Sequence, residues 1–364
     1  MADTTDNQRV AIVGCGVIGR THADTLAARP DTTVAALIDG DRAVRETLAA
    51  SLQAAGHPRP EGYGDLASAL AGSEVDLVAI CTPSGTHAAL AEQALADKLH
   101  VVIEKPLDVD LPRARRLGAA ATRAANHGVV SSVISQHRFD PGSALVAKAI
   151  AAGRFGKLTS AVATVAWWRS DEYYASAGWR GTWAQDGGGA LMNQGVHTVD
   201  LLLWFLGRPV AIQAQAVRAA HHAIEVEDTV VATLTFESGA IAVLHATTAA
   251  FPGDRTRVSV HGTEGGAEIE NDVLSRFNVD GSPDDVTVGA ETPGGHVAQY
   301  DDIFRAIAEG KQPGITVHDA IDALAAVRAV YIASALQRPI AFVDVLEGRY
   351  DDIDVTRGIG LPPS

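Results

Sequence analysis

Gly14-Cys15-Gly16-Val17-Ile18-Gly19 is a G-x-G-x-x-G turn, and the chemistry such a turn serves is the holding of phosphates. Gly14 permits the tight turn. Gly16 lets the backbone, with Val17 and Ile18 beside it, approach a pyrophosphate, and Gly19 lets helix and strand pack closely. Asp39 follows twenty residues after Gly19. There a carboxylate accepts hydrogen bonds from an adenosine ribose and repels a 2′-phosphate, which favours NAD over NADP. Arg42 either keeps NADP open or is a solvated helix-start residue. A second candidate is Glu104-Lys105-Pro106. Lysine is scarce, with five among 29 basic residues, and its amine can titrate near neutrality where a guanidinium cannot. Pro106 biases Lys105 towards extended backbone, which limits where the amine points.

A third candidate runs from Gly187-Gly188-Gly189 through Asn193 and His197 to Asp200. Three glycines before a helix permit close approach by a ligand, or simply a tight entry. Asn193 and His197 are four apart and would share a helical face. Asp200 is close enough to orient the His197 ring or merely to meet solvent. Upstream, Trp167-Trp168-Arg169, Tyr173-Tyr174 and Trp179-Arg180 hold three of the five Trp residues. Aromatic faces with Arg suit stacking on a sugar or similar polyhydroxylated ring; the alternative is a core beneath an irregular loop.

The elements that must position these residues alternate in the first half. Val10 to Val13 reads as a strand before the glycine turn, and Arg20 to Arg29 as the helix after it. Thr33 to Ile38 is a second strand ending in Asp39. Asp76 to Ile80 is a buried strand ending in Cys81-Thr82-Pro83-Ser84-Gly85-Thr86-His87, and Val101 to Ile103 delivers Glu104 and Lys105 to the same edge. Ligands on such sheets bind beyond the carboxyl ends of the strands, so Thr82, Pro83 and His87 are candidates to line a cofactor, as are Glu104 and Lys105. His87 could equally be a helix-start residue satisfied by solvent. The pattern predicts an α/β fold with a doubly wound parallel sheet over residues 1–136.

After residue 136 the pattern becomes successive strands with turns between them: Leu158 to Trp168, Val210 to Arg218, Thr229 to Phe236, Ala240 to Thr248, Arg257 to His261 and Ala267 to Glu270. These predict an α+β domain over 137–364 with a large, open, mostly antiparallel sheet. Helices about Val297 to Glu309 and Val317 to Leu336 close the chain, the second expected to pack back near the cofactor half.

Composition sets limits. With 364 residues, 47% hydrophobic, two domains fit. A formal charge of −15 with no basic stripe argues against nucleic acid. Cys15 and Cys81 lack metal-ligand spacing and read as buried thiols of a reducing compartment. His221-His222 read as a surface turn, and no metal constellation is legible. The polar N-terminus and the short apolar runs imply no membrane segment and a cytoplasmic protein.

Taken together these residues resemble the Gfo/Idh/MocA oxidoreductases, named for glucose–fructose oxidoreductase and inositol dehydrogenase. The resemblance runs from Val13 to Gly19 with His22, through Thr82-Pro83 with His87 and Glu104-Lys105-Pro106. It continues in Gly187 to Gly189 with His197 and Asp200, and in His296 with Gln299. It implies a Rossmann domain, and an open-faced sheet domain whose sheets pair between subunits as homodimers or homotetramers. It also implies hydride transfer between a sugar or cyclitol carbinol carbon and nicotinamide. A hydroxyl losing its proton needs a base, and the resemblance implies His197 as acceptor with Lys105 on the same oxygen, or the roles exchanged or shared. Many members carry Asp where this chain has Asn193. An amide is no base, so Asn193 becomes a positioning group, and the Asn193-Gln194 pair points to a pyranoside or sugar acid. His137, Arg138, Tyr173, Arg180 and His296 join as expected pocket residues.

Two other activities exist on the same scaffold. Glycosidases or lyases oxidise a ring transiently and keep their cofactor bound, and a transcriptional co-regulator binds dinucleotide without turnover. The presence of both Lys105 and His197 argues against the regulator, which needs no proton relay.

Overall fold

The computed structural model describes residues 7–279, 294–357 and 359. They form two compact units. One takes the chain up to Asp108, Arg113–Ile134 and His296–His318; the other takes Val109–Pro112, Ser135–Gly295 and the chain from Asp319 onward. The late stretch grouped with the first unit is thus 296–318, and helix 317–336 lies almost wholly in the second.

The first unit alternates strand and helix. Its elements are β1 (Gln8–Val13), α1 (Val17–Ala27), β2 (Thr32–Ile38), α2 (Arg42–Ala54), β3 (Glu61–Tyr63), α3 (Leu66–Gly72), β4 (Leu77–Ile80), α4 (His87–Ala96), β5 (His100–Ile103), α5 (Leu111–Ala125) and β6 (Ser131–Val133). The strands make a six-stranded parallel sheet in the order β3-β2-β1-β4-β5-β6. Helices cover both faces of such a sheet, so its strands read as unbroken apolar runs: Leu77 to Ile80 are all fully buried. Burial of each of the Leu77, Val78 and Ile80 side chains contributes about 1.5–3 kcal/mol. Asp41 caps α2 by accepting the Ala43 N–H at 2.8 Å, and Asp65 caps α3 through Ser68 at 2.8 Å. α1 starts at Gly16 with no side-chain cap, leaving its first amides to whatever anion is bound. Strand order reverses between β1 and β4, which is where such sheets take their ligands.

The second unit contains α6 (Pro141–Ala151), β7 (Leu158–Ala166), α7 (Asp171–Ala175), α8 (Val196–Leu206), β8 (Pro209–Val217), β9 (Thr229–Phe236), β10 (Ile241–Thr247), β11 (Arg257–Gly262), β12 (Gly265–Glu270) and β13 (Val273–Val279). After α9 (Gly295–Glu309) come α10 (Val317–Leu336), β14 (Ile340–Ala341) and α11 (Phe342–Leu346). Its eight strands run in the order β13-β12-β11-β7-β10-β9-β8-β14. All neighbours are antiparallel except β7 and β10, which are parallel. Period-2 alternation buries one face, where α8 packs on β7 and β11. The other face exposes Val162, Val231, Ile241 and Val243. Among the described residues no helix is long and apolar enough to cross a membrane.

One local expectation changes. The chain enters α8 through a turn of π-helix, Ala190–Gly195, rather than a continuous α-helix. Asn193 and His197 therefore lie on differently wound turns, and their spacing alone does not set a common face.

Candidate active site

In the first unit the glycine turn divides its labour as the backbone requires. Gly14 has φ +92°, and a Cβ there would lie 2.6 Å from the Cys81 carbonyl oxygen. A Cβ on Gly19 would lie 1.9 Å from the Gly14 oxygen. Gly16 has nothing within 4 Å of that position. Two glycines are thus demanded by the protein and the middle one by what approaches it, so a dinucleotide pyrophosphate fits the turn. Val17 is exposed beside it and Ile18 packs against the core. Asp39 ends β2, accepting the Cys15 N–H at 2.9 Å with one oxygen and the Asp41 N–H at 2.9 Å with the other. A carboxylate has about four acceptor sites, so capacity remains for ribose hydroxyls. Arg42 is exposed, and the guanidinium that reaches this corner is that of Arg45, donating to the Asp39 carbonyl.

The next loop holds Thr82 and Pro83, fastened by Thr86, whose hydroxyl bonds the Thr82 hydroxyl at 2.7 Å and the Pro83 carbonyl at 2.8 Å. His87 is neither at a ligand surface nor solvated. It is 1% exposed, with Nδ1 2.8 Å from the Pro106 oxygen and Nε2 2.8 Å from the Thr82 oxygen. Its ring ties this loop to the one carrying Lys105, whose peptide bond to Pro106 is cis.

Glu104 likewise belongs to the protein rather than to a cofactor. It is 4% exposed; Oε1 lies 2.9 Å from His22 Nε2, and Oε2 accepts the Lys105 N–H at 3.0 Å. His22 Nδ1 meets the Tyr300 hydroxyl at 2.6 Å. His296 was expected in a substrate pocket, but its Nε2 stands 3.7 Å from Glu104 and its ring is edge-on to His22. Burial pushes the Glu104 carboxyl up, yet His22, His296 and Lys105 together hold it well below the usual range. Lys105 therefore follows a buried anion that fixes its backbone.

In the second unit the three glycines close against protein. A Cβ on Gly189 would lie 1.7 Å from the Glu227 carbonyl oxygen, and one on Gly188 2.3 Å from the Tyr331 hydroxyl. The Glu227 side chain accepts the N–H groups of Gly189 at 2.7 Å and Leu191 at 2.9 Å, and the Tyr331 hydroxyl at 3.0 Å. Burial raises its carboxyl to about 7 despite these bonds. Asn193 donates to Asp186 at 2.7 Å, and the other Asp186 oxygen accepts the Gly181 N–H at 2.8 Å.

His197 meets His137 edge to face at 4.8 Å, and both line a cavity of about 60 Å³ with Trp167, Gln194 and Thr256. His137 Nδ1 sits 2.7 Å from Asp140 and 3.3 Å from Asp272. Burial lowers the His137 pKa, but Asp140, Asp272 and Asp200 together outweigh it and the net shift is upward. Arg138 does not line this cavity: it makes two bonds to Asp200, at 2.8 and 2.6 Å, and one to Asp319 at 3.3 Å. Asp200 is therefore the partner of Arg138 rather than a solvated group or the orienter of His197. Tyr173 and Arg180 do come together, Arg180 Nη1 donating to the Tyr173 hydroxyl at 2.8 Å.

Comparison with known proteins agrees with this geometry. Residues 8–133 match the oxidoreductase family with an NAD-binding Rossmann fold, and 144–268 match the GFO/IDH/MocA C-terminal domain. The rhizopine catabolism protein MocA of Rhizobium meliloti is 30% identical over 87% of this chain and 92% of its own. The chain belongs to the Gfo/Idh/MocA family. Inositol 2-dehydrogenase of Rhizobium meliloti (strain 1021) is 28% identical over 72% of this chain and 76% of its own. Among solved structures, the WlbA dehydrogenase from Bordetella pertussis, in complex with NADH and UDP-GlcNAcA, superposes with a TM-score of 0.84. It is 28% identical, covering 94% of this chain and 98% of that one.

Several residues of this Gfo/Idh/MocA protein carry no signal in the sequence reading. Glu227, Tyr331 and Tyr300 act through partners far along the chain, while Asp186 and Arg45 reach partners within seven positions that residue type did not single out. The Glu227-Asp228 pair at a strand entry was a usable hint, because adjacent acids beside an apolar run need partners. His221 is buried rather than in a surface turn, 3.0 Å from Asp228 and 2.7 Å from the Arg169 carbonyl. Two groups, His22-Glu104-His296 and His137-Asp140-Asp272, bring ligand atoms within 4.8 Å of one another, which no spacing disclosed. In each, one imidazole–carboxylate hydrogen bond, His22 to Glu104 and His137 to Asp140, holds two of the three groups together.

Proposed function

We propose that this protein is an NAD-dependent dehydrogenase that moves hydride between a carbinol carbon of a sugar or cyclitol and the nicotinamide. The bound dinucleotide supplies the hydride acceptor. The chain's own residues handle the rest. Gly16 and the first amides of α1 hold the pyrophosphate, and Asp39 takes the ribose hydroxyls. His197 accepts the hydroxyl proton, and Lys105 hydrogen-bonds the same oxygen, so negative charge developing there is met by a donor. Asn193, held by Asp186, positions the substrate and moves no proton.

The observation that carries this reading is His197 on the wall of a cavity shared with His137 and Gln194, in a chain whose other unit has a dinucleotide turn open at Gly16. A dehydrogenase relative named for inositol, and a structural neighbour holding a nucleotide-linked sugar acid, support a polyhydroxylated substrate. The exposed Val162, Val231, Ile241 and Val243 support assembly through the open sheet as a homodimer or homotetramer. The test is the absorbance of reduced nicotinamide with pyranosides, sugar acids and inositols, NAD and NADP in parallel. Turnover with NAD that disappears in Lys105→Ala and His197→Ala supports the reading. Silence with NAD tightly bound to the purified protein moves it to transient ring oxidation.

A further inference from the structure

Around Tyr173 the second unit gathers positive charge that nothing acidic answers. The Arg180 guanidinium lies 4.5 Å from the centre of the Tyr173 ring and 4.5 Å from that of Trp179. The Arg169 guanidinium lies 4.8 Å from the same Tyr173 ring and 4.9 Å from Trp167. Neither arginine forms an ion pair among the described residues, whereas Arg9, Arg29, Arg138 and Arg257 each sit on a carboxylate. The acids nearest in sequence, Asp171 and Glu172, are exposed. In a chain of 44 acidic and 29 basic residues, two neighbouring guanidiniums left without acids need an explanation.

The hydrogen-bonding groups here are also incomplete. The Nε groups of Arg169 and Arg180 are buried without a partner, and so is the Gln194 side-chain oxygen. Gln194 is 8% exposed, its amide nitrogen donates to Tyr173 at 3.3 Å, and it lines the His197 cavity together with Trp167. Of the residues with orphaned atoms, Gln194 lines the His197 cavity, and Trp167, which lines it too, stacks against the Arg169 guanidinium. A guanidinium stacked on a ring keeps its in-plane donors for a fork-like grip on an oxyanion.

We propose that Arg169 and Arg180 form a binding site for an oxyanion carried by the substrate, so that the protein acts on an acidic sugar rather than a neutral one. The Gln194 oxygen accepts a ring hydroxyl of the same molecule. The proposal rests on reading the second unit as the substrate-binding one, and it names the substrate class. Its oxyanion is a carboxylate or a phosphate, chemistries a guanidinium recognises alike.

The test is binding to the full-length protein, measured by calorimetry and thermal shift without turnover. The ligands are D-glucuronate, glucose 1-phosphate, glucose and myo-inositol. The variants are Arg169→Met and Arg180→Met, which keep an apolar stem against the rings. Glucuronate or the phosphate should bind about tenfold or more tighter than glucose, and each substitution should weaken that ligand by about tenfold. Whichever acid binds tells carboxylate from phosphate. The proposal is overturned if neither acid binds, or if glucose and inositol bind as tightly as the acids. Lower melting temperatures in the variants with ligand preference unchanged would also overturn it, by making the stack purely structural. Acid binding that needs both arginines, with no turnover of any substrate, would sink the dehydrogenase reading and leave this one standing. Turnover of neutral sugars with unaltered preference in the variants would do the reverse.

Discussion

The Glu227 carboxylate accepts the Gly189 amide at 2.7 Å, and from that bond the chain turns into the π-helical segment that carries Asn193 and leads to His197. A carboxyl fully buried at a turn that precise is a pH-dependent element. Because burial raises it to about 7, its folded-state value lies above the ordinary 4.5. The stability it contributes is full below about pH 4.5 and is lost as pH rises through about 7. The shift corresponds to about 3 kcal/mol. Glu227→Gln cannot titrate, so its stability deficit relative to wild type should shrink between pH 5 and pH 8. Denaturant midpoints at the two pH values check this; a constant gap refutes it.

The glycine turn separates two kinds of necessity. Gly19→Ala puts a methyl 1.9 Å from the Gly14 oxygen and should cost about 3 kcal/mol of stability, the upper end for overpacked sites. Gly16→Ala meets nothing within 4 Å, so the protein without cofactor should melt unchanged while NAD affinity falls. Melting curves and NAD titrations of both variants decide it.

Asp39→Ala removes the acceptor at the end of β2 and a bond to the Cys15 amide. NAD should bind about tenfold more weakly, and discrimination against NADP should narrow because the repelling charge is gone. Competing cofactor titrations measure both effects.

Tyr300→Phe deletes the hydroxyl that meets His22 Nδ1 at 2.6 Å inside the first unit. The buried imidazole keeps Glu104 at Nε2 but its Nδ1 then lacks a partner, at a cost of about 1–3 kcal/mol. If His22 and Glu104 serve to hold Lys105, kcat should fall more than KM rises. Equilibrium unfolding and steady-state kinetics on the one variant separate stability from catalysis.

On the open sheet, Val231→Lys and Ile241→Lys place charges on exposed apolar positions of β9 and β10. A protein that pairs through this face should shift to monomer in sedimentation, with little change in monomer fold. An unshifted sedimentation coefficient would move the interface elsewhere.

By itself the sequence determined what depends on neighbours along the chain. The Gly14 to Gly19 turn with Asp39 behind β2 is legible because a phosphate cradle is built from consecutive backbone amides. The two sheet types are legible because burial on both faces leaves apolar runs such as Leu77 to Ile80, while burial on one face leaves alternation, as in β9. Tertiary structure alone decided which polar groups are consumed by partners. His22 meets Tyr300 across 278 positions, Arg138 meets Asp200 across 62, and Glu227 meets Gly189 across 38. Residue type said only that these groups want partners. Which partner each one found was fixed when packing brought distant elements within about 3 Å, where a hydrogen bond forms and a site residue becomes a scaffold residue.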